Sequence, residues 1–200
     1  IKQGVTEQDI AIELEYYMKR HEAEALSFDT IVASGTHSSL PHANVTSKAI
    51  ENGDFITMDF GCVYKGYCSD MTRTVAVGGI SKEQENIYDI VLEAQEAALA
   101  AVGPGKNCKV IDAIARDIIR DAGYGEYFGH GLGHSVGLYI HEEPRLSPGC
   151  SELLVPGMTM TVEPGIYLPG KFGVRIEDLV AITNSGYDNF TASDKTLTIL

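Results

Sequence analysis

Basic residues are scarce. Fifteen Lys and Arg stand against 28 Asp and Glu, a formal charge of −13 at pH 7. An acidic excess of that size repels phosphate and argues against a nucleic-acid or anionic-membrane partner. No apolar run approaches the ~18 residues that span a bilayer, so a transmembrane helix is not expected. The four cysteines, Cys62, Cys68, Cys108 and Cys150, contain no C-x-x-C pair. That removes a zinc–thiolate site and a dense disulfide framework, and points to reduced thiols in a cytoplasmic protein. Prolines number only 7, and no low-complexity linker interrupts the chain. The chain also lacks an initiating Met, a signal peptide and a basic presequence. It opens beside a helix start, so a longer protein with a further N-terminal part is expected.

What is present is ordinary globular material: 200 residues, 44% hydrophobic and 22% charged, with 21 Gly. One domain of this size buries roughly 70% of its unfolded surface and needs no disulfide to fold. Thr6, followed by Glu7 and Asp9 and then by Ile10, Leu14, Tyr17 and Met18, predicts a capped amphipathic helix to about Ala25. Residues 28–34 read as a strand, and 35–47 as an irregular polar loop. Residues 54–77 read as a long β-hairpin with its turn near Tyr64-Lys65-Gly66. Ser81 opens a helix to about Ala101, ended by Gly103-Pro104-Gly105. Asn107 caps another, stopped at Gly123. Short Gly- and Pro-punctuated strands fill the rest. The mixture predicts an α+β fold.

Asp59 and Asp70 fall on the two arms of the hairpin. A turn centred on Tyr64-Lys65 would set them directly opposite, with Cβ atoms ~5 Å apart. Two such charges on a packed sheet need a positive partner: Arg73, Lys65 or a metal ion. Glu163 and Glu177 also lie inside apolar strands, where a bare carboxylate is unfavourable. An ion pair of Arg175 with Glu177, two residues apart on one strand face, is the plain structural alternative for the second of these. The segment G-H-G-L-G-H-S-V-G-L-Y-I-H holds His130, His134 and His141, half of the six histidines. Its glycines do not match G-x-G-x-x-G, and no Lys-Ser/Thr follows, so a phosphate loop is rejected. Two Asp, two Glu and a His make a hard, oxygen-rich donor set suited to two divalent ions of the Mn, Co, Fe or Zn kind. Such ions, ~3.5–4 Å apart, polarise a carbonyl and lower the pKa of a water, which is the chemistry of amide hydrolysis.

The motifs D-F-G, S-D-M-T-R-T, G-H-G-L-G-H, T-V-E-P-G-I-Y and V-R-I-E-D, in this order, resemble the pita-bread metallopeptidases. That group includes methionine aminopeptidase, aminopeptidase P and prolidase. The resemblance covers the chain from residue 5 onward. It implies the creatinase/aminopeptidase fold, with pseudo-twofold halves around a curved antiparallel sheet. It makes 1–200 a metallopeptidase catalytic domain, with an N-terminal domain and a first catalytic-domain helix outside the chain. His130, four residues before His134, and the run FDTIVASG…LPHA leading to His42 resemble the Xaa-Pro-cleaving branch. The implied activity is a two-metal peptidase, aminopeptidase or dipeptidase, cutting between an N-terminal residue and proline. Manganese is the favoured metal. Substrates would be peptides with proline second, and the full-length protein a homodimer. Methionine aminopeptidase, a metal-free enzyme like creatinase, and a non-catalytic binding module are the alternatives.

By the same resemblance, Asp59 chelates one ion, His134 with Glu163 holds the other, and Asp70 and Glu177 bridge them. Glu163 also takes the proton of the attacking water. His141 serves the oxyanion or passes a proton, while His42 and His130 contact substrate near the proline. Arg175 and Tyr167 orient the carboxylates and nucleophile. For His42 the plain alternative is an exposed loop residue. Cys68 is read as a small buried residue near the site.

Overall fold

The computed structural model describes residues 1–200. Helix α1 (Glu7–Arg20) begins as expected: the Thr6 hydroxyl accepts from the Asp9 amide, and the Asp9 carboxylate accepts from the Thr6 amide. It ends five residues before the expected limit. Glu22 turns to φ 71°, which breaks the helix and sends Ala25–Leu26 out as strand β1. Strand β2 (Ile31–Ser34) is shorter than the 28–34 reading, and a 3₁₀ turn (Gly35–Ser39) orders part of the polar loop.

Strands β3 (Phe55–Phe60), β4 (Cys62–Tyr64), β5 (Tyr67–Cys68) and β6 (Met71–Ala76) build the expected hairpin. Its register differs from expectation. Tyr64 pairs with Tyr67 around Lys65 (φ 50°) and Gly66 (φ 81°), the two-residue loop with positive φ at both positions that matches strand twist. Asp59 therefore faces Thr72, and Asp70 lies two positions away on the same side. The two aspartates are diagonal neighbours, not direct partners.

Helices α2 (Lys82–Ala101) and α3 (Cys108–Asp121) start at the caps read from sequence, Ser81 and Asn107, and Gly123 (φ 91°) follows the second. Then come strands β7 (Gly133–Ser135), β8 (Glu142–Leu146), β9 (Thr159–Val162), β10 (Gly165–Leu168), β11 (Phe172–Arg175), β12 (Asp178–Ile182) and β13 (Tyr187–Asn189). The α+β class holds. One antiparallel sheet runs β2-β3-β6 and another β13-β12-β9-β7-β8. They meet at a single bridge between Thr72 and Glu177, with the β10–β11 hairpin packed across the junction. The main core lies between α2, α3 and the sheets, around Tyr88, Phe55, Ile87, Ile111 and Met160. A smaller one, with Ile10, Val32, Ile50 and Ile56, lies under α1. No helix is long and apolar enough to cross a membrane.

One buried carboxylate ties α1 to the loop beyond β2. Glu7 is fully buried and accepts from the Ser34 amide (2.7 Å), the Ser34 hydroxyl (2.9 Å), His37 Nδ1 (3.0 Å), the Thr46 amide (3.2 Å) and the Thr46 hydroxyl (2.6 Å). Burial alone would raise its pKa, but these hydrogen bonds from Thr46, His37 and Ser34 outweigh it and hold the carboxyl below its ordinary value. Glu7→Ala strands these donors at once. It is expected to lower unfolding free energy by about 3 kcal/mol or more, measured by urea denaturation. A loss below ~1 kcal/mol would mean that the loop is held elsewhere.

Candidate metal and active site

A cavity of about 420 Å³ opens at the junction of the two sheets. Its wall includes Asp59, Asp70, His134, Glu163, Glu177 and Arg175, with His42, His130 and His141 around them. The residues singled out from sequence thus converge, from β3, the step into β6, β7, and the turns beside β9 and β12. Tyr167 stands behind the wall on β10.

Glycine explains part of this approach. A Cβ on Gly133 would lie 2.0 Å from the Thr161 carbonyl oxygen, so only glycine lets β7 come close enough to β9 to bring His134 beside Glu163.

Donor and acceptor accounting then decides what the cluster can hold. His134 Nδ1 lies 3.0 Å from the Ser135 carbonyl, which can only accept, so Nδ1 carries the proton and Nε2 presents a lone pair. That Nε2 lies 3.6 Å from Asp70 Oδ2 and 3.4 Å from Glu163 Oε1. Burial lowers the His134 pKa to about 4, so the ring is neutral near pH 7 and these contacts are not ion pairs. Asp70, His134 and Glu177 offer three ligand atoms all within 4.8 Å of one another. Asp59 Oδ1 is buried with no hydrogen-bond partner. Acceptor atoms therefore converge on one space, an arrangement that divalent cations satisfy. The residues present fit the metal.

The electrostatics of the cluster point the same way. Burial, then the charges of Asp59 and Glu163, push Asp70 well above its ordinary range. Burial and the charges of Asp70, Glu163 and Asp59 do so for Glu177. Burial pushes Glu163 up to about 7 against the pull of Arg175.

Arg175 does not pair with Glu177. Its Nη2 donates to Asp59 Oδ2 at 2.6 Å, because β11 packs against β3 and aims the guanidinium across the junction. Its Nε donates to Thr72 Oγ1 (3.1 Å), which itself donates to Glu177 Oε2 (2.7 Å). Its Nη1 reaches the Tyr167 hydroxyl (2.9 Å) and the Pro41 carbonyl (3.1 Å). Burial raises the Tyr167 pKa to about 12, so the phenol keeps its proton and donates it to His130 Nε2 at 2.9 Å. The other suggested partners of the aspartates are engaged elsewhere or distant: Arg73 binds Asp178, and Lys65 sits at the hairpin tip.

His42 is exposed, yet it stands at the cavity wall. The rim ring His141 meets His134 edge to face, centroids 4.5 Å apart. Cys68 is half-buried in a separate groove, its thiol directed at the Leu138 carbonyl, and does not line the cavity. Sequence reasoning missed Thr72, Thr161 and Arg145. Thr161 donates to Glu163 Oε1 (3.0 Å) and accepts from the His134 amide (3.0 Å), while Arg145 lines the mouth. The alternating placement of Thr72 two after Asp70 and Thr161 two before Glu163 was the available signal.

The sign of the pH dependence follows. Raised carboxyl pKa values stabilise the metal-free fold at low pH, and that contribution is lost as pH rises through about 7 and beyond. His130 and His134, lowered by burial to about 4, act oppositely: their contribution is complete above about 6.5 and is lost as pH falls toward 4. Above about pH 6.5 only the carboxylates remain. The melting temperature of the metal-stripped protein is expected to fall as pH rises from about 6.5 through 7, and saturating Mn²⁺ to abolish that fall. A flat metal-free profile over this interval would contradict the account.

Comparison with known proteins places this geometry. The sequence model of metallopeptidase family M24 matches residues 1–184. The chain is 49% identical over 197 residues to a Xaa-Pro dipeptidase of Pyrococcus furiosus, covering 98% of this chain and 57% of that protein. Among solved structures it superposes on a Xaa-Pro dipeptidase from Bacillus anthracis with TM-score 0.98 and 52% identity, covering 100% of this chain and 56% of that one. An X-Pro aminopeptidase from Thermotoga maritima gives TM-score 0.97 and 46% identity, covering 100% and 57%. The chain therefore spans little more than half the length of these relatives. The pita-bread fold is thereby established. With a buried carboxylate–imidazole cluster suited to divalent metal at its sheet junction, the chain belongs to metallopeptidase family M24.

Proposed function

We propose that the full-length protein is a cytoplasmic Xaa-Pro peptidase using two divalent metal ions, manganese in the first instance, and that residues 1–200 are its catalytic domain. The observation that carries the reading is the convergence of Asp59, Asp70, His134, Glu163 and Glu177 with their acceptors facing one another. Asp59 would chelate one ion, His134 and Glu163 the other, with Asp70 and Glu177 between them. Bound there, divalent ions supply a polarised scissile carbonyl and a water of lowered pKa. Four unpaired thiols support a reducing compartment.

The chain's own groups do the rest. Glu163, on the cavity wall beside His134, is within reach of a water held there and is the carboxylate assigned to take its proton. His141, at the rim beside His134, is placed to donate toward the developing oxyanion or hand a proton to the leaving nitrogen. A proline nitrogen makes a tertiary amide with no N–H, so recognition must rest on ring shape and on the flanking carbonyls. Phe28, Ile31 and Ile140 supply apolar wall, His42 offers ring nitrogens, and His130, whose nitrogens are engaged by Gly131 and Tyr167, offers its ring edge. Arg145 sets a positive charge at the mouth, suited to the terminal carboxylate of a short substrate. The Xaa-Pro names of the relatives support this choice of peptide.

Full-length protein, stripped and reloaded with Mn²⁺, Co²⁺ or Zn²⁺, should cleave Gly-Pro in preference to Met-Ala. A preference for Met-Ala would replace the reading with methionine aminopeptidase. Glu163→Gln is expected to lower kcat by ~10²-fold or more, the usual scale for losing a general base. A kcat within about threefold of wild type in steady-state kinetics, with metal content unchanged, would remove Glu163 from that role.

A further inference from the structure

Behind the metal-facing carboxylates lies a second buried ionic cluster that the proposed chemistry does not use. Arg73 is 6% exposed, and its guanidinium makes five hydrogen bonds. Nη1 donates to the Thr72 carbonyl (2.9 Å) and to the Glu177 carbonyl (2.6 Å). Nη2 donates to Asp178 Oδ1 (2.8 Å) and the Ser193 carbonyl (2.8 Å), and Nε to the Asp194 carbonyl (3.1 Å). Asp178 is itself fixed: Oδ2 accepts from Asn189 Nδ2 (2.9 Å) and Lys195 Nζ (3.0 Å).

We propose that Arg73 is a positioning residue for Glu177, fixing that carboxylate in the geometry that a shared metal pair requires; the proposal rests on the two-metal reading above. At this seam the two sheets share one backbone hydrogen bond, from the Glu177 amide to the Thr72 carbonyl (3.1 Å). Arg73 Nη1 grips the carbonyls of these same two residues. The same pair is linked a third time, by the Thr72 hydroxyl on Glu177 Oε2. Both the carboxylate and the hydroxyl that aims it therefore hang from one guanidinium nitrogen. A site for ions only ~3.5–4 Å apart tolerates little displacement of a bridging group, and outer partners of metal ligands commonly carry about 10–100-fold in affinity. Lysine cannot substitute. Its single ammonium has three donors on one atom, and cannot span two carbonyls at the seam, Asp178 and the 193–194 carbonyls together.

The test uses metal-stripped full-length protein carrying Arg73→Lys or Asp178→Asn, with Tyr88→Phe as a control. Tyr88 donates to the Lys195 carbonyl (2.9 Å), so its loss loosens the same C-terminal segment without touching Arg73. Three quantities are read: metal-free melting temperature, Mn²⁺ affinity by calorimetry, and the visible spectrum of the Co²⁺-loaded protein. Arg73→Lys and Asp178→Asn are expected to weaken Mn²⁺ binding by about 10–100-fold and to shift the Co²⁺ bands. Tyr88→Phe should lower the melting temperature while leaving affinity and spectrum as in wild type. Wild-type affinity and spectrum in either folded ligand-side variant, at any melting temperature, overturns the proposal alone. A wild-type protein that takes up no metal overturns the two-metal reading and this proposal with it.

Discussion

A guanidinium buried among carboxylates governs this molecule. Arg175 lies between Asp59 and Thr72 on one side and Tyr167 and the Pro41 carbonyl on the other. It is the point at which the first sheet, the β10–β11 hairpin and the loop bearing His42 are held at fixed distances. One cation does not balance Asp59, Asp70, Glu163 and Glu177. Three of these four have raised pKa values even with Arg175 in place, each chiefly through burial. The residual charge defines a cation site whose position is set by the protein and whose stability is completed by the ion.

Such a site is unfavourable to the metal-free fold, and the surrounding structure must absorb that cost. The large core formed by α2 and α3 against the sheets is apolar and free of site residues. Caps at Thr6, Ser81 and Asn107 close the helix ends. These are locally consistent elements, and the inconsistency is confined to the sheet junction. Proteins that violate a burial rule at one place while obeying it elsewhere generally do so where they function. Metal binding is then coupled to stability through the same carboxylates that bind it.

Much of this was legible in sequence because it depends on neighbours along the chain. Caps, the helix stop at Gly123, and the acids misplaced in apolar strands are local signals. So are glycines flanking His134, although their purpose, the contact of Gly133 with the Thr161 carbonyl, is tertiary. The hairpin register was missed by one pair, since it turns on whether Tyr64 joins the loop or pairs with Tyr67. The early end of α1 depends on Glu22 adopting positive φ, which no propensity favours. The partner of Arg175 was not legible because Asp59 lies 116 positions away. Proximity in sequence offered Glu177 instead. The roles of Thr72, Thr161 and Arg73 were not legible for a related reason: a hydroxyl or guanidinium acquires its role only when the seam between the sheets is formed.

Proton accounting along that seam also distinguishes the histidines. Arg175 can only donate, so the Tyr167 oxygen accepts from it and passes its own proton to His130 Nε2. His130 Nδ1, 2.8 Å from the Gly131 carbonyl, must then carry the ring proton. Both nitrogens of His130 are spoken for, and burial, which lowers its pKa to about 4, keeps the ring neutral. The direction of this chain is fixed at one end by a guanidinium that cannot accept and at the other by a carbonyl that cannot donate. A substrate group can join it only by displacing Tyr167 or the Gly131 carbonyl, or by meeting the ring edge. His42 and His141 have no internal partner of that kind, and their nitrogens remain available to the cavity. Three histidines that look equivalent in sequence thus differ in chemistry: one is held in a single tautomer by a directed chain, and two keep both ring nitrogens open to what binds.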